Sequence, residues 1–339
     1  MKKLTIFFVV VDIFVAICFF VVYGPFEHLQ NTIITTAKAT KTHDYIAYTF
    51  YSEEKINKVM ALDSYVPLTD DVNLSEIVID TAPRDTYDNE YDEAILTRDE
   101  GNNDYKYLKV KVGKYDAHLV AIYDPSTVRL MTCKKFNTSN SSGKESILKM
   151  TKRYDAVVGI NGGRFVDYGY GSDIPVGYVI KDGKIIWSDD NDKANLIGFT
   201  NDNKLLLIKA TGEEAIQKGM RDAIEFGPFL IVNGETIKYN SVVGGYSRAA
   251  RVAIAQRRDG VVLFLVTEGT HAAGPNMTEM VETLKLYGAY NAANLDGGTS
   301  TQLVIKNKLI NTPKNVYGKV VKGGRNVVSG WGVILNESE

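Results

Sequence analysis

The segment Asn294-Leu295-Asp296-Gly297-Gly298-Thr299-Ser300-Thr301 sets a carboxylate, a carboxamide and three hydroxyl groups beside paired glycines, where the expected strand Ala292–Leu295 leads into a loop. A carboxylate in such a loop can move a proton or stabilise a developing positive charge. Glycine lets a ligand come close to the backbone. Three more glycine-rich segments stand at the ends of predicted strands: Asn161-Gly162-Gly163-Arg164-Phe165, Phe226-Gly227-Pro228-Phe229 and Glu268-Gly269-Thr270-His271. Strand ends are where open sheets hold ligands, although a plain chain turn explains any one of these segments alone. Two arginines stand in comparable places. Arg251 opens the apolar strand Val252-Ala253-Ile254-Ala255, and Arg325 follows Gly323-Gly324 before the final strand. A guanidinium there can grip a phosphate through its two-pronged fork. Arg164 and Arg248 are weaker candidates of the same kind, and a surface role accounts for each arginine taken singly.

Taken in order, four segments narrow the reading. Asn161-Gly162-Gly163-x-Phe165, the run Phe226 to Gly234, Arg251-x-Ala253-Ile254-x-Gln256-Arg257-x-Asp259-Gly260 and the run Gly288 to Gly298 resemble the successive signatures of the phosphodiester glycosidase family. The resemblance extends from about Tyr105 to Leu335. It implies hydrolysis of a sugar-1-phosphodiester at the anomeric carbon, on a cell-surface or exopolysaccharide glycan. Such a reaction needs cations or N–H donors for the phosphate, and a carboxylate for the oxocarbenium-like sugar or for the attacking water. On that basis Asp296 takes the carboxylate role and Glu268 is a second carboxylate, with His271 a stand-in donor. Arg251 and Arg325 hold the phosphate. Asn161 and Asn294 orient the ligand, and the amides of Gly162, Gly163, Gly297 and Gly298, with Thr299 or Ser300, complete the pocket. Two departures are visible. Val252 replaces the family's threonine in Arg-Thr-Ala-Ile-Gly, and Thr270 replaces the arginine of Asp-Gly-Arg. Both fall near the inferred site, and they support a rival reading: an envelope protein that binds glycan phosphodiesters through a degenerate site.

Bulk composition excludes some classes. The 339 residues carry a formal net charge of −2 and no basic block interleaved with aromatics, so nucleic acid is not an expected partner. Four histidines and two cysteines offer no zinc spacing, and no calcium-loop spacing is present, so no metal or cofactor is expected, with oxygen-only calcium binding left open. Attack at phosphorus, which usually relies on His and Asp around two metals, is disfavoured for the same reason.

Location is written in the first residues. Met1-Lys2-Lys3 precedes an apolar run from Leu4 to Tyr23, interrupted only by Thr5 and Asp12. About 20 apolar residues match the roughly 30 Å hydrocarbon core of a bilayer. Lysines before the run and none close after it favour an inside N-terminus and an extracytoplasmic C-terminal domain. A cleaved signal peptide is the competing reading, but the run exceeds its usual core of about 7–15 residues and Tyr23-Gly24-Pro25-Phe26 is a poor cleavage site. Cys18 lies inside this span, which leaves Cys133 alone outside it and no disulfide framework. The anchor and the Thr42-His43-x-Tyr45 and Phe50-Tyr51-Ser52 segment resemble the membrane-bound, exopolysaccharide-associated bacterial branch of the family.

These features divide the chain into a cytoplasmic tip (1–3), an anchor (4–23), juxtamembrane helices and a linker (24–104), and a glycosidase-like domain (105–339). Within 24–104, helices are expected over Pro25–Lys41 and Ile46–Leu62, with Ser52 a cap. The acidic, Pro-containing stretch from Asp63 to Asp104 reads as a loose spacer. In the domain, strands are expected over Lys106–Val112, Ala117–Tyr123 and Ala156–Ile160. Hairpins turn at Asp182-Gly183, Asn233-Gly234 and Asp259-Gly260, where positive φ is tolerated. Helices are expected over Ser146–Tyr154 and Thr278–Tyr287, the latter stopped by Gly288. The fold class is mixed α/β (α+β): mixed β-sheets with hairpins and flanking helices, preceded by one transmembrane helix.

Overall fold

The computed structural model describes residues 2–38, 44–68, 71–136, 143–167, 173–189, 191–240, 247–270 and 272–335. His43 and His271 lie outside the described residues. The chain forms two compact units, one of residues 1–66 with 238–248, the other of residues 67–237 with 249–339.

In the smaller unit, Lys2–Tyr23 is one helix, long and apolar enough to cross a membrane. Short helices follow at Glu27–Lys38, Tyr45–Phe50 and Glu53–Asp63. Ser52 caps the last of them by accepting the Lys55 amide. Ile34, Ala47, Tyr51, Ile56 and Val59 form its small core. Tyr65–Val66 pairs antiparallel with Lys238–Tyr239.

The larger unit has the expected α+β class, built from three main sheets. A seven-stranded sheet runs in the order Glu235–Thr236, Phe229–Val232, Ala289–Leu295, Val252–Arg257, Val262–Thr267, Tyr115–Ile122, Tyr105–Val112. One five-stranded sheet contains Lys308–Leu309, Leu303–Ile305, Val158–Asn161, Ser329–Val333 and Val128–Thr132. The other contains Leu205–Ala210, Ala194–Thr200, Met220–Glu225, Tyr178–Lys181 and Lys184–Ser188. Every described strand pair is antiparallel, so the sheets are not mixed in direction. Tight turns such as Asp182-Gly183 (φ 50° and 71°) and Asn233-Gly234 (φ 55° and 82°) force that direction on the strands they join.

One apolar core joins all three sheets. Val120, Leu130, Ile160, Ile197, Phe199, Ile254, Phe264, Leu295 and Trp331 belong to it, and Phe199 meets Trp331 edge to face at 5.6 Å. Residues 67–104 are not a loose spacer. Ile77 and Ile95 are fully buried, and the amides of Val78 and Asp80 bond to the carbonyls of Arg258 and Asp259. Asp92, on the Glu90–Leu96 helix, pairs with buried Arg257 at 2.7 Å. Sparse apolar residues hid this packing, because two buried isoleucines, backbone hydrogen bonds and ion pairs hold the segment instead of a periodic face.

Candidate active site

Four strand ends and one loop meet around Asp296. The buried strand Val158–Asn161 delivers Asn161, which has no exposed surface. Its Nδ2 donates to the Asp296 carbonyl at 2.6 Å, and its Oδ1 accepts the Gln302 amide at 2.9 Å. Asn161 therefore clasps the loop at both sides of the Gly298–Ser300 turn. The Asp296 amide returns a bond to the Gly162 carbonyl at 3.1 Å. These bonds make Asn161 a brace for Asp296 more than a contact for a ligand.

The paired glycines serve by lacking Cβ. A Cβ on Gly163 would stand 2.8 Å from the Glu225 carbonyl oxygen, and one on Gly297 would stand 2.5 Å from that of Ala250. The expectation that their amides face a ligand is corrected. Gly162 donates to the Ser329 carbonyl, Gly163 to Ser329 Oγ and Gly298 to the Ala250 carbonyl. The Gly297 amide bonds the Asp296 carboxylate itself. The backbones interlock, and the polar side chains are left to address a substrate.

Burial pushes the Asp296 carboxyl above its ordinary range. The Ser300 hydroxyl, the Arg325 charge, the Gly297 amide and the Arg164 charge all pull the other way and do not overcome it. As a residue Asp296 keeps intermediate exposure, so the deeply set carboxyl belongs to a residue still partly open to solvent. Arg325 donates through Nη1 to Ser300 Oγ at 3.1 Å and lies 4.9 Å over the Phe165 ring. Its own carbonyl accepts from Gln302 Nε2 at 2.8 Å. Arg164 lies 3.8 Å from Glu225 and 5.6 Å from the Phe226 ring centre. Two guanidiniums, each set over an aromatic face, thus flank one carboxyl.

Asn294 is 3% exposed. Its Nδ2 donates to the Gly227 carbonyl at 3.0 Å, and its buried Oδ1 has no hydrogen-bond partner among the described residues. Arg251 is half-buried and tied by its backbone to Thr267, whose hydroxyl accepts its amide at 2.8 Å. Its Cα would lie 3.7 Å from a Cβ on Gly297, so its backbone adjoins the loop. Thr299 is half-buried within the Gly298–Ser300 turn.

Glu268 has other company. Its Oε1 lies 3.1 Å from His118 Nε2, whose Nδ1 meets the Tyr107 hydroxyl at 2.9 Å, and its carboxylate accepts the Thr312 amide. It follows the Val262–Thr267 strand, while Asp296 follows the Ala289–Leu295 strand, with Val252–Arg257 between them. These bonds fix Glu268 on its own sheet neighbour, two strands from the Asp296 loop. Val252 is also misplaced by sequence reading. It is fully buried in the common core, between Val266 and Leu295 in register, so the threonine hydroxyl it lacks is not one taken from the cleft.

Three participants carry no signal in the sequence, and a fourth carries only a weak one. Glu225, Gln302 and Ser329 carry no motif signal, since each acts through one side chain far away in the chain. Arg164 was visible only as a weaker arginine. Among the described residues, His, Cys, Asp and Glu side chains nowhere gather in threes at metal-ligand spacing.

A family model described as phosphodiester glycosidase matches residues 154–334, just over half of the chain. A SPbeta prophage-derived uncharacterized protein, YomE of Bacillus subtilis (strain 168), is 29% identical over 192 residues. That match covers 53% of this chain, and the chain spans only 28% of that protein's length. Among solved structures, the zebrafish N-acetylglucosamine-1-phosphodiester alpha-N-acetylglucosaminidase catalytic domain, auto-inhibited by its pro-peptide, is similar with a TM-score of 0.55 at 19% identity. The alignment covers 68% of this chain and 82% of that one, a likeness of fold.

Proposed function

We propose, from the premise that this chain belongs to the phosphodiester glycosidase family, that it hydrolyses a sugar-1-phosphodiester at the anomeric carbon. The observation that carries the reading is the Asp296 carboxyl, buried between Arg325 and Arg164 on a loop braced by Asn161. Arg325, assisted by Arg164 and Arg251, grips the phosphate. Ionised Asp296 stabilises the oxocarbenium-like carbon and accepts a proton from the attacking water. The C1–O bond breaks, and the phosphomonoester leaves with the bonding electrons. A raised pKa suits this role, because a more basic carboxylate is the better proton acceptor. Asn294 orients the ligand indirectly, by holding the Gly227 carbonyl beside the loop.

The chain sits in a membrane through Lys2–Tyr23, with its tip inside and the rest of the chain outside, and its substrate is a cell-surface or exopolysaccharide glycan. The apolar helix and the lysines before it support this. The alternative, a binder without turnover, is favoured by Thr270, which leaves one cation fewer than the family pattern.

The test is hydrolysis of sugar-1-phosphodiesters by the full chain in detergent, in ¹⁸O-labelled water. Label in the released sugar is the expected result. Label in the phosphate would overturn cleavage at carbon. Saturable binding with no release over long incubation would establish the binder.

A further inference from the structure

The stretch that follows Asp296 carries charge of one sign. From Gly297 to Asn336 there is no Asp or Glu, whereas Lys306, Lys308, Lys314, Lys319, Lys322 and Arg325 all fall inside it, in a chain whose formal net charge is −2. None of the five lysines forms an ion pair among the described residues. Cations gathered without partners repel one another and attract an anion.

Three of these lysines stand on one hairpin, residues 313–324. Val321 donates its amide to the Pro313 carbonyl at 2.8 Å, Asn315 donates to that of Lys319 at 2.9 Å, and Lys314 pairs antiparallel with Val320. In that register Lys314 faces Val320, and Lys322, two residues on, is its diagonal neighbour on the same face. Like charges within reach of each other cost stability, and an anion between them removes the cost. At the tip Tyr317 is 80% exposed.

Both feet of the hairpin are tied down. At the first, the Glu268 carboxylate accepts the Thr312 amide at 3.1 Å while buried His118 holds its Oε1. At the second, Gln302 bonds the Arg325 carbonyl and Arg325 bonds the Ser300 hydroxyl beside Asp296. Lys322 precedes Arg325 by three residues, so their Cα atoms lie within about 11 Å of each other. The lysine pair therefore stands one step along from the guanidinium assigned to the phosphate.

We infer that this hairpin is a second phosphate subsite, and that the substrate is an oligomer whose sugars are joined by repeating phosphodiesters. The inference rests on the sugar-1-phosphodiester reading of the Asp296 site. Arg325 takes the phosphate of the scissile bond, and Lys314 with Lys322 takes the next one along. Tyr317 offers a ring face to the sugar beyond. A glycan with a single phosphodiester meets Arg325 alone.

The test uses the full chain in detergent and end-labelled probes in which a methylene group replaces the bridging oxygen on the anomeric carbon, so that nothing is cleaved. One probe carries a single charged linkage and another carries two; an oligothymidylate of the same charge is the third. Fluorescence anisotropy at low salt should show the two-charge glycan bound about tenfold tighter than the one-charge glycan, with the ratio shrinking at high salt. Replacing both lysines (Lys314→Ala with Lys322→Ala) brings that ratio near unity and leaves affinity for the one-charge probe unchanged, which also reports that the variant is folded. Arginine at both positions preserves the ratio. Equal affinity of the wild type for one and two charges would overturn the inference. So would a ratio that survives the double alanine change, or an oligothymidylate bound as tightly as the two-charge glycan, which would mark a general polyanion surface. Hydrolysis of natural diesters is measured separately: the preference without any cleavage would sink the hydrolase reading alone and leave the subsite standing.

Discussion

In the role proposed for it Asp296 bears two burdens, because the desolvation that makes it a better base also makes its charge expensive. Its folded-state pKa is raised above 3.8, so between 3.8 and the folded value the native protein holds more protons than the unfolded chain. Its contribution to stability therefore falls as pH rises through that window and stays unfavourable above it. Asp296→Asn removes the charge. The variant is expected to melt higher than the wild type at pH 7, with the difference closing below pH 3.8 in thermal scans. The same change lowers kcat by about 10²–10⁴-fold. The acid limb of the wild-type kcat/KM profile should report a pKa above 3.8. Arg325→Ala is expected to lower kcat/KM by about 10²-fold, since it removes a charge-assisted donor from the phosphate and frees Ser300. Asp296 and Arg325 could be picked out from sequence because their residue types announce chemistry. Ser329 and Gln302 could not, since a serine or glutamine that bonds one backbone group looks like any other.

Elements position the site through backbone-to-backbone contact. Gly297→Ala would drive a Cβ to 2.5 Å from the Ala250 carbonyl, and the Arg251 end of the Val252–Arg257 strand would have to yield. Overpacking of this kind costs about 1–3 kcal/mol, and denaturant unfolding of the variant should show it. A buried ion-pair cluster secures the other end of that strand. Arg257 bonds Asp92, Asp259 and the Tyr287 carbonyl. Arg257→Ala strands both carboxylates, so a loss of about 3–5 kcal/mol is expected, with new proteolytic cleavage between residues 67 and 104. Sequence patterns identified the strands around residues 105–123 and 251–267, where alternation and Asp-Gly or Asn-Gly turns are clear. They missed the docking of residues 67–104, because Ile77 and Ile95 are too far apart to show a period. They also misread Val252, because a position beside a motif arginine can still point into the core.

At the scale of the whole molecule, the helix Lys2–Tyr23 is long and apolar enough to cross a membrane, and the proposed placement makes a direct prediction. The chain carrying Lys2–Tyr23 should remain in the membrane fraction after alkaline carbonate extraction, and one begun after Tyr23 should lose that retention. The two compact units are not consecutive in the chain. Residues 238–248 belong with residues 1–66, and they lie inside the span matched by the family model, 154–334. The short ladder of Tyr65–Val66 with Lys238–Tyr239 joins the two pieces of that unit. A single crossover in the coding sequence, placed anywhere between the anchor and the glycosidase-like region, would therefore separate the halves of one folded body. Inheritance of a different N-terminal helix requires a matched replacement at two distant loci, so the apolar helix and the family-matched region are held together as one heritable unit.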